Sequence, residues 1–403
     1  MFREGASLPA VTSDDHAGRS DRTAIPWASL AVLAAGHFAV DSCTGIWPIF
    51  KTLAHLDLSR AGLIASVGSM VGNGLQIGFG PLADRGWRKP LLVGGVLLAG
   101  AVTLVPLATS YGQMFALVLV TYVGSAAFHP SGTGSAGTLL TTRTGVLVGV
   151  FLAGGYAGYA LSQGVFSLLY ARRPELAASM AAVPIVVAIA IALRVPRAPA
   201  GFHAGHQEAQ GWAAHGSLLP LFLVQVFSTA INLAVIFLLP DLLLARGAPS
   251  FMVHGGGHFA LVAGGCLTLL PAGHAADRWG ARRVLVAANL ILGLSLAVLL
   301  LRHSAAPADL LVVAIFGVGA SANNVVAVAE GNRRMPGRAS GVSALLMGFP
   351  WCIAAAAPMI AGFLADPARG GSPTQALVWL GLAVPLGLIA SASLRPVARP
   401  QAA

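Results

Sequence analysis

Gly80-Pro81-Leu82-Ala83-Asp84-Arg85 and Gly273-His274-Ala275-Ala276-Asp277-Arg278 are two copies of one acidic turn. Each follows a long apolar segment, and each is succeeded by a basic pair, Arg88-Lys89 in the first copy and Arg282-Arg283 in the second. The two aspartates lie 193 residues apart (277 − 84), nearly half of a 403-residue chain. A repeat of that period on an apolar background marks an internal duplication of a helical membrane unit, the way many secondary transporters are built.

Composition agrees. Hydrophobic residues make up 56% of the chain and charged residues 9%, with a mean hydropathy of +0.78. So few charges cannot cover the surface of a soluble protein of this length, so the bilayer is part of the solvent. The net charge of +10 does not point to nucleic acid as a partner, because Lys and Arg sit in short connectors between apolar runs. Cys43, Cys266 and Cys352 fall inside apolar runs at unrelated spacings, as free thiols packed as small apolar groups would.

Apolar runs long enough to cross a ~30 Å core recur at 27–50, 61–82, 90–109, 112–137, 145–170 and 175–195. They resume at 217–244, 252–272, 283–302, 308–330, 339–365 and 374–394. The expected fold is an all-α membrane protein of twelve transmembrane helices in two six-helix halves. Its expected parts are a polar tail over 1–26, a bundle over 27–195, a Pro-, Gly- and His-bearing linker over 196–216, a second bundle over 217–394 and a tail over 395–403. With the N-terminus inside, the segments on the inner side hold 17 of the Lys and Arg residues and the outer connectors 7. Both termini and both acidic turns are therefore expected on the cytoplasmic face of a cell inner membrane.

Further echoes keep the same order in both halves: Asp41 and Pro48 with Asn232 and Pro240, Gly124-Ser125-Ala126-Ala127 with Gly317-Val318-Gly319-Ala320, and Gly145-Val146 with Gly341-Val342. In each acidic turn the glycine allows two helices to approach closely. The carboxylate can accept N–H bonds from a neighbouring helix N-terminus and interact with its dipole, while the basic pair reaches lipid phosphate. Bonds of that kind can form in one state of a moving bundle and break in another. Asp84, Arg85 and Arg88, with Asp277, Arg278 and Arg282, are therefore candidates for a conformational latch. A plain helix-ending Asp in a positive-inside loop is the competing reading of either copy alone.

These turns resemble the Gly-x-x-x-Asp-Arg-x-x-x-Arg-Arg loop of the major facilitator superfamily, and the resemblance extends over all twelve spans. Gly273, Asp277, Arg278, Gly280 and Arg282 fit it, whereas the first copy has Trp87 where the usual glycine sits. A narrower resemblance is carried by His37-Phe38-Ala39-Val40-Asp41, Ile46-Trp47-Pro48, Phe128-His129-Pro130 and Gly362-Phe363-Leu364-Ala365-Asp366. These are similar to motifs of the fosmidomycin-resistance-type exporters. The chain departs from that family at Ser131, where a Glu usually follows His-Pro, and at Leu152 and Tyr156, where polar residues are usual. What this resemblance implies is proton-coupled antiport that expels a small organic molecule or drug.

His37 and Asp41 are four residues apart and share a helix face. About ten residues into the first span, at ~1.5 Å per residue, they sit near the bilayer midplane. An ionisable pair there is a functional candidate by default, a pair that can exchange a proton as the site opens to each side. A fixed hydrogen bond orienting the first helix is the alternative. His129 precedes the kinking Pro130 and is a third coupling candidate, expected about 10 Å closer to the cytoplasm than His37 by rise-per-residue counting. Cavity candidates are Trp47, Asn73, Gln76, Tyr156, Gln163, Gln225, Asn232, Asn323 and Asn324, each of which can equally serve as interhelix glue. Glu330 beside Arg333 and Arg334 reads as a rim ion pair.

Two histidines without a placed carboxylate or thiolate, as in His254-Gly255-Gly256-Gly257-His258 or at His203 and His206, are poor metal signatures. The expectation is no metal and no cofactor. No phosphate-binding loop is present to admit ATP, and no nucleophile constellation suggests an enzyme. The expected partners are a small-molecule substrate, protons and the lipid bilayer, with a monomer as the working unit. Uptake of a metabolite and a non-transporting sensor remain open as alternatives.

Overall fold

The computed structural model describes residues 26–139, 144–196, 218–335, 342 and 344–395. Most of the expected tails, most of the 196–216 linker and Gly341 lie outside the described residues. Every apolar run becomes helix, and among the described residues there is no strand. Eleven helical stretches are long and apolar enough to cross a membrane. One of them, Leu58–Leu107, is 50 residues long and contains two spans joined at the first acidic turn, so the twelve spans read from the sequence are all present.

We number them α1 (Trp27–Leu53), α2 (Leu58–Leu82), α3 (88–107), α4 (Tyr111–Thr138), α5 (Thr144–Arg172) and α6 (Pro174–Arg194). The second set is α7 (Leu219–Ala245), α8 (Met252–Trp279), α9 (Ala281–Leu301), α10 (Asp309–Arg334), α11 (Leu345–Ala365) and α12 (Pro373–Ser393). Short polar caps stop the apolar runs from continuing into one another. Asp57 accepts from Arg60 N–H (2.7 Å) to start α2, Ser110 from Gln113 N–H (3.3 Å) to start α4, and Ser372 from Gln375 N–H (3.2 Å) to start α12. Each satisfies an orphan donor of a first helical turn.

The acidic turns differ from one another in a way that explains Trp87. The chain reverses at Gly86 (φ 97°, ψ 0°) in the first copy and at Gly280 (φ 90°, ψ 142°) in the second. A side chain is strained at such positive φ, so each loop keeps one glycine, but Gly86-Trp87 and Trp279-Gly280 place it one residue apart. The first copy has therefore shifted its reversal point by one residue and has not lost it. α8 runs past the expected boundary at 272 to Trp279, so Asp277 sits in its last helical turn.

The two halves meet at the end opposite the acidic turns. Lys51 on α1 pairs with Asp241 on α7, and Thr52 donates to the same carboxylate (3.0 Å). On α2, Ser59 donates to Asp366 just beyond α11 (2.7 Å), and Met359 N–H donates to Ser66 (2.8 Å). Ser59's hydrogen bond holds the Asp366 carboxyl below the usual carboxylate range. α5 and α8 close in the same way, with His258 Nε2–H donating to the Tyr159 carbonyl (2.8 Å). A Cβ on Gly255 would lie 2.4 Å from the Gly164 nitrogen.

α2 and α11 stay in contact further toward the acidic-turn end, through Cys352 and the Met70 carbonyl (3.7 Å). Other positions there are open: Gly74, Gly78 and Gly80 on α2 and Gly273 on α8 have nothing within 4 Å of where a Cβ would stand. On α8, Leu267 and Leu270 are exposed. The halves are thus held together at one end by α1–α7, α2–α11 and α5–α8 contacts, an arrangement that fits a cleft opening toward the turns.

Candidate functional site

Asp41 stands midway along α1, where the chain softens at Gly45 and Pro48 breaks the regular hydrogen-bond ladder. Its carboxylate lies between two imidazoles. His37 Nε2 is 3.2 Å from Oδ2, and His129 Nε2 on α4 is 3.2 Å from Oδ1. The 10 Å offset expected for His129 is absent. His37 stands ten residues past Trp27 and His129 nine before Thr138 (37 − 27; 138 − 129). Counted from one membrane face on two antiparallel helices, they share a depth, and their ring centroids are 5.0 Å apart at 84°.

The protons of this cluster can be counted from hydrogen-bonding logic. His37 Nδ1 faces the Phe151 carbonyl on α5 (2.9 Å), and His129 Nδ1 faces the Ser125 carbonyl one turn earlier (2.8 Å). A carbonyl and a carboxylate both only accept, so each neutral ring leaves one of its two nitrogens facing an acceptor without a hydrogen, and the Ser125 hydroxyl lies 3.1 Å from His129 Nδ1 as well. With no further proton, each ring therefore keeps one unsatisfied contact. One proton satisfies one contact; two protons satisfy both. The set Asp41–His37–His129 is thus built to hold and release protons.

Its walls are asymmetric. Behind His37, Phe151 stacks on the imidazole (centroids 4.3 Å) and Phe128 closes the back, leaving His37 buried. On the front, Asp41 and His129 keep 21% and 28% of their side-chain surface exposed. α5 comes within reach because its face toward α1 is glycine. A Cβ on Gly155 would stand 2.5 Å from His37 Nε2 and 2.6 Å from Asp41 Oδ2. On either side, Gly154 and Gly158 pack against the Ala34 and Phe38 carbonyls. Gly155→Ala is expected to push the His37–Asp41 contact apart and to lower stability by about 1–3 kcal/mol. Thermal unfolding in detergent reads the second effect. If the melting point and substrate-driven proton movement both stay at wild type, α5 is not holding the cluster.

The remaining candidates divide. Asn73 and Gln76 are half-buried on α2, Asn73 linked to Ser69 (3.3 Å) and Gln76 to Asn73 (3.4 Å). Tyr156 is half-buried one residue beyond Gly155. Gln225 on α7 donates to Asn324 on α10 (2.9 Å) and to the Leu346 carbonyl (3.1 Å). Asn232 keeps a buried Oδ1 without a hydrogen-bond partner among the described residues, and Gln163 keeps both amide atoms so.

Two residues belong elsewhere. Trp47, expected in the cavity, is 2% exposed and donates its indole N–H to the Ala61 carbonyl (3.0 Å), pinning α1 to α2. Asn323, also expected there, is fully buried and accepts from Asn289 on α9 (2.9 Å), which donates in turn to Ser391 on α12 (2.8 Å). That network is glue. Asn323→Leu is expected to cost about 0.6–2 kcal/mol of stability while leaving substrate-driven proton movement unchanged. A selective loss of that movement at wild-type stability would return Asn323 to the cavity.

At the acidic turns, Arg88 donates to Asp84 within the first copy (2.9 Å), and Asp277 in the second pairs with Arg333 at the end of α10. Arg333 and Arg334 also hold Glu330, as a rim ion pair would. Each of these pairs stays within its own half. Arg85, Arg278 and Arg282 are exposed at the same end.

The sequence reading missed three features. Lys51 was counted as a connector cation, yet it has no exposed surface and lies over the Phe237 ring (4.5 Å). Its partner Asp241 directly follows Pro240. Opposite charges beside the aligned prolines of α1 and α7 were the available signal. Gly155 carried no signal of its own, being one of three glycines within five residues of an apolar run, Gly154, Gly155 and Gly158.

A twelve-helix bundle in two halves around a cleft sealed at one end is the major facilitator fold. No family model and no curated protein matches this chain. Solved structures do. The nucleoside transporter NupG superposes with a TM-score of 0.70 at 16% identity, over 90% of this chain and 97% of that one. A bacterial homologue of the human lysosomal transporter Spinster, inward-facing and unoccupied, gives 0.71 at 15% identity, over 91% and 96%. The peptide transporter POT gives 0.70 at 17% identity, over 90% and 93%.

Proposed function

We propose that the protein is a secondary active transporter that moves a small organic molecule by alternating access, driven by protons held at Asp41, His37 and His129. The observation that carries this is the part-exposed carboxylate clamped between two imidazoles at mid-depth. Charge buried in a membrane segment is costly and marks ion pathways and proton relays. The transporters of similar fold add support for the class.

Orientation follows from the basic residues, which favour a cytoplasmic location for the acidic turns and both termini in a cell inner membrane. The cleft then opens inward. The sealing contacts at the far end form the outer gate, and Asp84, Arg85, Arg88, Asp277, Arg278 and Arg282 would latch the inner end once the cleft closes there. The two bundles, 27–195 and 217–394, would rock about the cleft. Export is favoured by the Phe128-His129-Pro130 and His37-x3-Asp41 resemblance to drug exporters.

The test is proton release from purified protein on adding members of a small-molecule panel, followed by flux in proteoliposomes with an imposed pH gradient. Substrate-dependent release, and flux that follows the gradient, support the reading. A panel member that is carried at the same rate without a gradient overturns proton coupling. Accumulation driven by inward proton flow would replace export with uptake, as the nucleoside and peptide carriers among the similar structures make worth measuring.

A further inference from the structure

We propose that His37 Nε2, His129 Nε2 and the Asp41 carboxylate form a three-ligand site for a divalent transition-metal ion, with its remaining coordination open to the cleft. The ion would enter either hydrated or held by a small chelator. This goes beyond the transport reading above, in which the cluster holds protons, and rests on it only in taking the cleft as the path by which the ion reaches the cluster.

The donor set comes first. All three ligand atoms lie within 4.8 Å of one another. With metal–ligand bonds of about 2.0–2.1 Å, tetrahedral ligands stand about 3.3 Å apart. Each Nε2 stands 3.2 Å from a carboxylate oxygen, His37's from Oδ2 and His129's from Oδ1, so Asp41 would bind the ion through both oxygens or turn slightly to bind through one. Two imidazoles and one carboxylate suit zinc, cobalt, nickel or ferrous iron, and not magnesium or calcium, which take oxygen ligands.

The surroundings are also those of a metal centre. Each imidazole has a main-chain carbonyl at its Nδ1, of Phe151 or of Ser125. With a metal bound at Nε2, Nδ1–H would donate to that carbonyl, the outer-shell bond that orients a metal-ligating histidine. A backbone carbonyl cannot be lost by mutation of its own side chain, so the orientation is built into α4 and α5. The Gly155 backbone lies directly against the ligands: a Cβ there would stand 2.5 Å from His37 Nε2 and 2.6 Å from Asp41 Oδ2, so only glycine lets α5 come this close. Phe128 and Phe151 make the rear wall apolar, while Asp41 and His129 are the exposed members, so any further ligand arrives from the cleft side.

Charge points the same way. With neutral imidazoles protonated at Nδ1, the three groups carry one negative charge and face each other through lone pairs. One divalent ion fills both gaps and leaves the same charge as two protons would, so metal and protons are alternatives at one place.

The experiment uses the full chain purified in detergent, with Zn2+ for calorimetry and Co2+ for visible absorption. The expected result is one ion per chain, with the intense d–d bands of a low-coordinate cobalt site. Asp41→Asn and His129→Ala should each weaken binding by more than the about 10–100-fold attached to an outer-shell partner. His274→Ala, on the exposed acidic-turn end, should not change it. Gly155→Ala keeps all three ligands and should still lower affinity, because its methyl group would push His37 Nε2 and Asp41 Oδ2 out of place. Repeating the titration with Zn2+ bound to iminodiacetate separates the two sources: tighter binding than the bare ion identifies a chelated cargo, and weaker binding a bare one. Unchanged stoichiometry and affinity in both Asp41→Asn and His129→Ala would overturn the site, as would the absence of saturable wild-type binding. Neither readout requires transport. Failed metal binding with intact proton coupling removes this inference alone, and failed coupling with intact metal binding removes only the proton reading.

Discussion

Asp41→Asn is expected to abolish substrate-driven proton movement in proteoliposomes, by about 100-fold or more, the scale on which loss of a positioned proton carrier acts. The amide has nearly the shape of the carboxylate, so the fold and the packing against Phe128 and Phe151 should persist. What changes is the accounting at the two imidazoles. When their Nδ1 hydrogens go to the Phe151 and Ser125 carbonyls, both Nε2 atoms of the neutral rings need donors. An amide NH2 can serve one ring while its oxygen faces the lone pair of the other. No exchangeable proton remains on residue 41. Substrate binding without coupled proton release is the expected phenotype, read by pairing a binding assay with a pH-sensitive dye. Wild-type proton release from the variant would make Asp41 a structural anchor for α1 and move the search for coupling to His129.

Asp241→Ala is expected to open the sealed end of the cleft. Lys51 has no exposed surface, and its charge is met by Asp241 and Thr52. Removing one partner of a buried pair leaves an uncompensated charge, at a cost of about 3–5 kcal/mol. That penalty falls on the state with the far end closed and not on a state in which Lys51 meets water. An equilibrium shift of hundred- to thousand-fold follows. In a cysteine-free background, labels on His55→Cys and Ala368→Cys, both exposed at that end, should report a longer distance in the variant. Replacing both partners, Lys51→Met with Asp241→Leu, removes the stranded charge and should restore most of the closed population. If the single variant leaves the distance distribution unchanged, the pair is not a gate. If the double variant is as open as the single one, the closed state depends on the charge attraction itself and not on avoiding a stranded lysine.

The two predictions draw on unequal amounts of sequence information. His37 and Asp41 could be found from spacing alone, because a 3.6-residue period puts i and i+4 on one face and a charge in the bilayer is conspicuous. Their partner His129 was visible as a residue but not as a contact. Its depth depends on where α4 ends, and a few residues of error in a boundary displaces a side chain by several ångströms. Lys51 was hidden by the same uncertainty, lying where a span could be read as connector. Trp47 and Asn323 show the complementary difficulty. A polar or aromatic residue in an apolar run faces either a cavity or a neighbouring helix, and period alone cannot say which when most faces of a membrane helix are apolar.

The sequence by itself determined the class of architecture. Twelve apolar runs, a 193-residue repeat and basic connectors leave few ways to satisfy backbone hydrogen bonds in lipid. These are local or periodic properties, carried by each segment whatever its neighbours do. Only the tertiary structure decided what meets at Asp41, which end of the cleft is sealed, and that a glycine on α5 makes room for the cluster. Between helices, those are relations between residues 88 (129 − 41) to 307 positions apart, set by helix rotation and crossing. In a bundle with nearly uniform apolar surfaces, rotation is fixed by packing of small residues such as Gly154 and Gly158, and not by any pattern that one helix displays alone.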